Sequence, residues 1–198
     1  TKFISLSPGY TQACGSASYG TAYCWRSGAN FELGSTPAAD SSVPKLVDTT
    51  NLTAGAKFTS ISSKGFYHSC GIASDGKTYC WGLDGSEGAL GDNTAGAHVH
   101  DIPYPQIQNG QNNFSTALDS DGKAYAWGAN AQSQLGDNTT TDRAIPTLIN
   151  TSALTSGTKF VSLASSDSST CALASDGKSF CWGNNNYGQL GDNSLTTR

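Results

Sequence analysis

Six cysteines fall into three pairs at one fixed spacing: Cys14 and Cys24, Cys70 and Cys80, Cys171 and Cys181. Thiols placed this way could bind a metal, cycle between dithiol and disulfide, or form permanent crosslinks. Two other segments carry ligand-type side chains. His98-Val-His100-Asp101 could set two imidazoles on one strand face, and Asp119-Ser-Asp121-Gly122 resembles the opening of a calcium loop. The histidine run lacks a fourth ligand, and its region offers no uncommitted cysteine; it reads as a solvated loop. The later ligands of a calcium loop are absent after Gly122, and Asp121-Gly122 is already explained as a turn. No nucleophile with a neighbouring base, phosphate loop or carboxylate pair follows from the spacing, so no catalytic, cofactor or metal residue is assigned.

The cysteine pairs are explained by the elements that hold them. Midway between the two positions of each pair stands a turn: Tyr19-Gly20, Asp75-Gly76 and Asp176-Gly177. A fourth copy of the frame, around Asp121-Gly122, has Thr116 and Ala126 in place of cysteine. Ser-Asp-Gly between alternating runs suits a three-residue hairpin loop closed by a left-handed glycine. That loop sets Cys14 opposite Cys24, Cys70 opposite Cys80 and Cys171 opposite Cys181. Opposed strand residues lie about 4.5 to 5.5 Å apart at Cα, within disulfide reach. Three disulfides within hairpins are therefore predicted, and the joint loss of both cysteines from the fourth frame agrees with pairing.

The same register faces a small residue with an aromatic one in every copy: Gly15 with Tyr23, Gly71 with Tyr79, Ala117 with Tyr125, Ala172 with Phe180. A tryptophan follows each frame at Trp25, Trp81, Trp127 and Trp182, on that aromatic face by period-two alternation. A tryptophan stripe could stack sugars. Recurrence at one position of a structural repeat favours core between repeats instead.

Alternating runs precede the hairpins at Lys2 to Leu6, Lys57 to Ile61 and Lys159 to Leu163, and proline-led strands precede those at Pro44 to Val47 and Pro146 to Ile149. Each unit has four short strands and no helical stripe, so the chain is all-β. Trp-Gly-x-Asn-x-x-x-Gln-Leu-Gly-Asp, at Trp127 to Asp137 and Trp182 to Asp192, resembles the repeat of the regulator of chromosome condensation family. The resemblance implies a β-propeller of four-stranded antiparallel blades, usually seven to a ring. His68 stands where that family often has histidine and is read as packed. The first copy departs from the pattern at Arg26 and at Phe31-Glu32-Leu33.

The repeats are placed at about 1–43, 44–102, 103–144 and 145–198, which is a partial ring or half of an assembled one. The third is short: it has no clear Phe-x-Ser-Leu run, and its blade is expected to be incomplete or rebuilt by Gln106 to Phe114. The first is expected to lack its proline-led strand. A protein partner or copies of the chain itself would complete the open blade.

Charged residues make up 13% of the chain and its formal charge is −4, with no basic stripe, which argues against a nucleic-acid surface. No apolar run is long enough to span a bilayer as a helix. The predicted disulfides imply an oxidising compartment, hence an extracellular or cell-surface setting. Asn51, Asn113, Asn138 and Asn150 begin glycosylation sequons. The family resemblance implies a binding scaffold, since members range from a nuclear guanine-nucleotide exchange factor to secreted inhibitors. The acidic balance and disulfides suit the exchange role poorly. The expected function is an extracellular, non-enzymatic interaction or structural module, such as a subunit of a surface assembly or filament. The alternative is a secreted binder or inhibitor of one protein, using loops such as Gly82 to Gly88 and Asn184 to Gly188.

Overall fold

The computed structural model describes residues 2–93 and 97–198, and of residues 97–101 the backbone alone. Among the described residues fifteen strands form four antiparallel sheets, each ordered as in the chain. The first sheet holds β1 (Phe3–Pro8), β2 (Gln12–Ala17), β3 (Ala22–Arg26) and β4 (Ser41–Leu46). The second holds β5 (Phe58–Ser62), β6 (His68–Ala73), β7 (Thr78–Leu83) and β8 (Ala97–Ile102). The third holds β9 (Gln106–Gly110), β10 (Phe114–Leu118), β11 (Ala124–Gly128) and β12 (Arg143–Leu148). The last has three strands, β13 (Phe160–Ser165), β14 (Ser169–Ala174) and β15 (Ser179–Gly183). Strands β1, β5, β9 and β13 neighbour one another along the inner side, so the sheets stand as successive propeller blades.

The central hairpins follow their turn chemistry. In the second sheet Ala73 N–H donates to Lys77 C=O at 2.9 Å, and Gly76 takes the left-handed conformation at φ 81°. Counting from that hydrogen-bonded pair, Cys70 and Cys80 are three steps along, a non-hydrogen-bonded site where opposed Cα atoms approach closely. The three cysteine pairs are opposed and bonded, with Cα separations of 4.1, 4.0 and 4.1 Å. These separations are shorter than the general hairpin expectation because all three occupy the narrow site.

On the other face, an inner-strand aromatic packs against each hairpin. Phe58 lies 6.2 Å from Tyr79 and 5.8 Å from Trp81, ring centre to ring centre. Phe3 and Phe160 repeat this in the first and last sheets. Gly71 permits it: a Cβ there would come within 2.7 Å of the Phe58 ring. The faces then alternate through the stack. Cys14 and Cys24 of the first sheet share a core with Phe58, Tyr79 and Trp81 of the second. Cys70 and Cys80 share one with Trp127, and Ala126 packs with Phe160 and Trp182. Trp81, Trp127 and Trp182 are thus core between sheets, whereas Trp25 packs against Phe3 of its own sheet.

Three expectations are corrected. The proline-led strand precedes the second repeat in sequence, but Tyr23 pairs with Leu46, which makes that strand the fourth of the first sheet. The sheets are cut one strand out of phase with the repeats, so the last sheet, not the first, has three strands. The third sheet is complete. Its inner aromatic is Tyr104, 4.8 Å from Tyr125 and 6.0 Å from Trp127, and Tyr104-Pro-Gln-Ile107 replaces the Phe-x-Ser-Leu run. Finally, His98 and His100 lie in strand β8, paired with Gly82 and Cys80, not in a loop; their side chains fall outside the described residues.

Candidate interaction surface

Antiparallel connectivity divides the loops between two faces of the array. The connections from first to second strand, and from third to fourth in the four-stranded sheets, emerge on one face, and the turns between second and third strands on the other. The two faces differ chemically.

On the turn face the charged groups bond locally. The Asp75 carboxylate accepts from Lys77 N–H at 3.1 Å and from Tyr79 O–H at 2.7 Å; these bonds outweigh burial, which acts upward, and hold its pKa below the ordinary value. Asp119 accepts from the Asp121 and Lys123 N–H groups, both at 2.9 Å, so it closes a turn and leaves no calcium loop. Among the described residues no cluster of three metal-ligating side chains forms.

On the loop face, the motif after each tryptophan proves to be a self-contained frame. Asn130 is buried; its amide donates to Asp137 Oδ1 at 3.1 Å and to the carbonyls of Thr139 and Thr141, both at 3.0 Å, while Leu135 N–H donates to its Oδ1. Arg143 bridges Asp137 at 2.7 Å. Burial raises the Asp137 pKa, but hydrogen bonds from Thr139 and Arg143 win and lower it. Asn185, Asp192, Ser194 and Arg198 repeat the frame. Asp192 is drawn down to about 2, foremost by the Ser194 hydroxyl. Asn93, Asn138 and Asn193 close these loops at φ of 58°, 64° and 60°, a left-handed conformation that asparagine tolerates. The Asn and Asp of the motif therefore organise the loop itself, including the segments Gly82 to Gly88 and Asn184 to Gly188 singled out by sequence.

The inner rim of this face is tied from sheet to sheet. The Gln12 amide donates to the carbonyls of Gly65 and His68, each at 3.2 Å, and Thr11 donates to Phe66 C=O. Phe66 N–H donates to Gln111 C=O at 3.2 Å, and Gln111 N–H to Ser166 C=O at 3.1 Å. His68 is fully buried behind this rim, with Nε2 3.1 Å from the Ser115 hydroxyl. Its pKa is lowered to about 4 by burial. That makes it a structural group, as expected.

What the rim presents outward is aromatic. Tyr10 is 62% exposed and meets Phe66 edge to face at 4.4 Å, with Tyr67 beside Phe66 at 6.1 Å. Tyr187, 91% exposed, and Leu195 stand on the same face of the last sheet. Sequence reasoning missed the Tyr10–Phe66 pair because it forms between sheets; the signal available was an aromatic in the β1–β2 connection and another in the equivalent β5–β6 connection. Of the sequon asparagines, Asn51, Asn138 and Asn150 are exposed and Asn113 is half-buried.

Comparison with known proteins agrees with this architecture. Two family models described as Regulator of chromosome condensation (RCC1) repeat match the chain, one at residues 58–88 and 160–189, the other at 121–173. A human protein described as probable E3 ubiquitin-protein ligase HERC4 is 29% identical over 141 residues, covering 67% of this chain and 13% of HERC4. The crystal structure of human WBSCR16 superposes with a TM-score of 0.83 at 20% identity, over 99% of this chain and 51% of that one. Prp20p from Saccharomyces cerevisiae, described with its binding to Gsp1p and histones, gives 0.77 at 25% identity, over 99% and 49%. The chain thus spans about half the length of these solved structures.

Proposed function

The chain belongs to the regulator of chromosome condensation repeat family, and on that premise we propose that it is a non-enzymatic, extracellular protein-interaction module that binds its partner through the loop face around Tyr10, Phe66 and Tyr67. The observation that carries this reading is the contrast within that face. Its motif Asn and Asp side chains are taken up by loop-internal bonds, while aromatic rings held by a bonded rim point outward. Exposed tyrosine on a rigid backbone suits protein recognition, since it offers contact area at low entropic cost.

Prp20p provides a precedent for protein binding on this scaffold, although Gsp1p and histones are its own partners. HERC4's ligase activity is not carried over, because the matched part is 13% of that protein. The extracellular setting rests on the three disulfides, which persist in oxidising compartments. In that setting Asn51, Asn138 and Asn150 are accessible acceptors for glycosylation.

A second reading, assembly into a ring or filament, has its own observation. Each interior junction packs the disulfide-side face of one sheet on the aromatic face of the next. The aromatic face of the first sheet, with Tyr23 and Trp25, and the Cys171–Cys181 face of the last remain half-buried. Copies meeting head to tail through these faces would extend the same junction.

Intact mass and light scattering on protein taken from its native source test both. Three disulfides in the extracellular fraction are expected, as a monomer for the first reading and as a multimer for the second. Six free thiols in cytosolic protein would overturn the extracellular assignment.

A further inference from the structure

We propose that Tyr104 and Tyr125 form a dityrosine crosslinking site, which gives the third sheet a covalent staple in place of the disulfide its hairpin lacks. The other three hairpins carry disulfides, whereas Thr116 and Ala126 stand opposed at the cysteine positions of the third. The same sheet differs in its inner aromatic. Phe3, Phe58 and Phe160 serve in the others, and phenylalanine has no phenol to couple. Only the third sheet sets tyrosine against tyrosine there. Loss of one crosslink and gain of an oxidisable pair therefore coincide in a single sheet.

The geometry of the pair departs from the others as well. Phe3–Tyr23, Phe58–Tyr79 and Phe160–Phe180 meet edge to face, at 5.9, 6.2 and 6.1 Å and interplanar angles of 86°, 85° and 74°. That is an ordinary packing arrangement. Tyr104 and Tyr125 lie 4.8 Å apart at 37°, closer and much less inclined, which is the approach that coupling between ring carbons needs. Both rings are half-buried, whereas Tyr79 is fully buried.

Tyr104 is held in this pose by its backbone. Pro103 and Pro105 flank it and stiffen the segment, its N–H donates to Ile102 C=O at 3.0 Å, and its C=O accepts from the Thr78 hydroxyl. Tyr125 is fixed in β11 between Ala117 and Leu148. Its hydroxyl donates to Asp119 Oδ2 at 3.4 Å, a carboxylate placed to take the phenol proton as the electron leaves. Burial, with Tyr125 and Asp119 beside it, pushes the Tyr104 phenol up to about 12, so it reacts as a neutral phenol.

The step balances with one hydrogen peroxide acting through a haem peroxidase. Each phenol gives up one electron and one proton, and the peroxide takes both pairs and leaves as two waters. The two unpaired electrons form one bond between ring carbons ortho to the hydroxyls. The hydrogen displaced from each of those carbons moves through water to the ring oxygen, which restores both phenols. The inference rests on the extracellular reading above only for the presence of such an oxidant.

The test treats the purified whole chain, dilute and with its disulfides intact, with a haem peroxidase and hydrogen peroxide, and maps the digest by mass spectrometry. The expected product is a monomer lighter by two hydrogen atoms, with dityrosine fluorescence and a crosslinked peptide joining positions 104 and 125. Most of that fluorescence is lost in Tyr104→Phe, which gives the third sheet the residue type of the other three. The mapping on the parent chain stands without the variant, so folding of Tyr104→Phe is not at issue. No dityrosine in the monomer, crosslinks between other positions only, or fluorescence undiminished by Tyr104→Phe would overturn the proposal. Because the oxidant is supplied, failure here leaves the extracellular reading to its own test, the disulfide count of native protein.

Discussion

Arg26 holds in the first sheet the backbone place that Gly82 holds in the second, with φ of 87° against 121°. A Cβ on Gly82 would stand 2.1 Å from the Tyr67 carbonyl oxygen, and Gly128 and Gly183 repeat the conformation. The left-handed region costs a residue with a side chain about 1–2 kcal/mol. Glycine also raises the entropy of the unfolded chain, which returns part of that gain. Arg26→Gly is therefore expected to stabilise the protein by about 0.5–1 kcal/mol, read as a higher urea midpoint. A lower midpoint would show that the Arg26 side chain contributes more than its backbone costs.

His68 makes stability depend on acid. Its folded pKa, about 4, lies below the ordinary 6.5 because burial disfavours the imidazolium. The unfolded state then binds the proton first. Stability is complete above about pH 6.5, falls as pH drops toward 4, and the loss is on the order of 3 kcal/mol. Urea unfolding at pH 7 and pH 4.5 should show the fall in the parent and a shallower one in His68→Gln. Equal slopes in both would assign the acid sensitivity elsewhere.

The third sheet provides a template for doing without a disulfide. There Thr116 donates or accepts a hydrogen bond with Ser165 at 2.9 Å, and Ala126 packs in the core. The paired change Cys70→Thr with Cys80→Ala should leave the protein folded, at a cost of about 2–3 kcal/mol or less, since the hairpin turn already restricts the reduced chain. A protein that no longer folds would make the crosslink essential to its sheet.

Trp127 and Trp182 occupy equivalent positions, and their indole N–H groups donate to Ala89 and Gln134 carbonyls, both at 3.0 Å. Only Trp127 is fully buried. Trp127→Ala is expected to cost about 3–5 kcal/mol and Trp182→Ala distinctly less. Equal losses would mean that the difference in burial leaves no energetic trace.

The hairpins were legible because their information is local. Turn residues, alternation and the ten-residue cysteine spacing fix one register, and the structure has it in all four sheets. What sequence concealed depends on contacts between elements far apart in the chain. Leu46 reaches back to Tyr23 across a 14-residue loop frame, so assigning the proline-led strand to the preceding sheet needs that pairing. Tyr104 performs the work of Phe58 without the Phe-x-Ser-Leu spelling, although its spacing to Ile107 matches that of Phe58 to Ile61. The candidate surface was least legible, since Gln12, Phe66 and Gln111 are joined by bonds between successive sheets.

The most direct test of the loop-face account is photo-cross-linking in the native host, with a benzoylphenylalanine replacing Tyr10 in one protein and Lys123, on the opposite face, in another. The account predicts a discrete protein adduct from position 10, in the extracellular fraction, and none from position 123. Adducts from position 123 alone, or none from either, would contradict it.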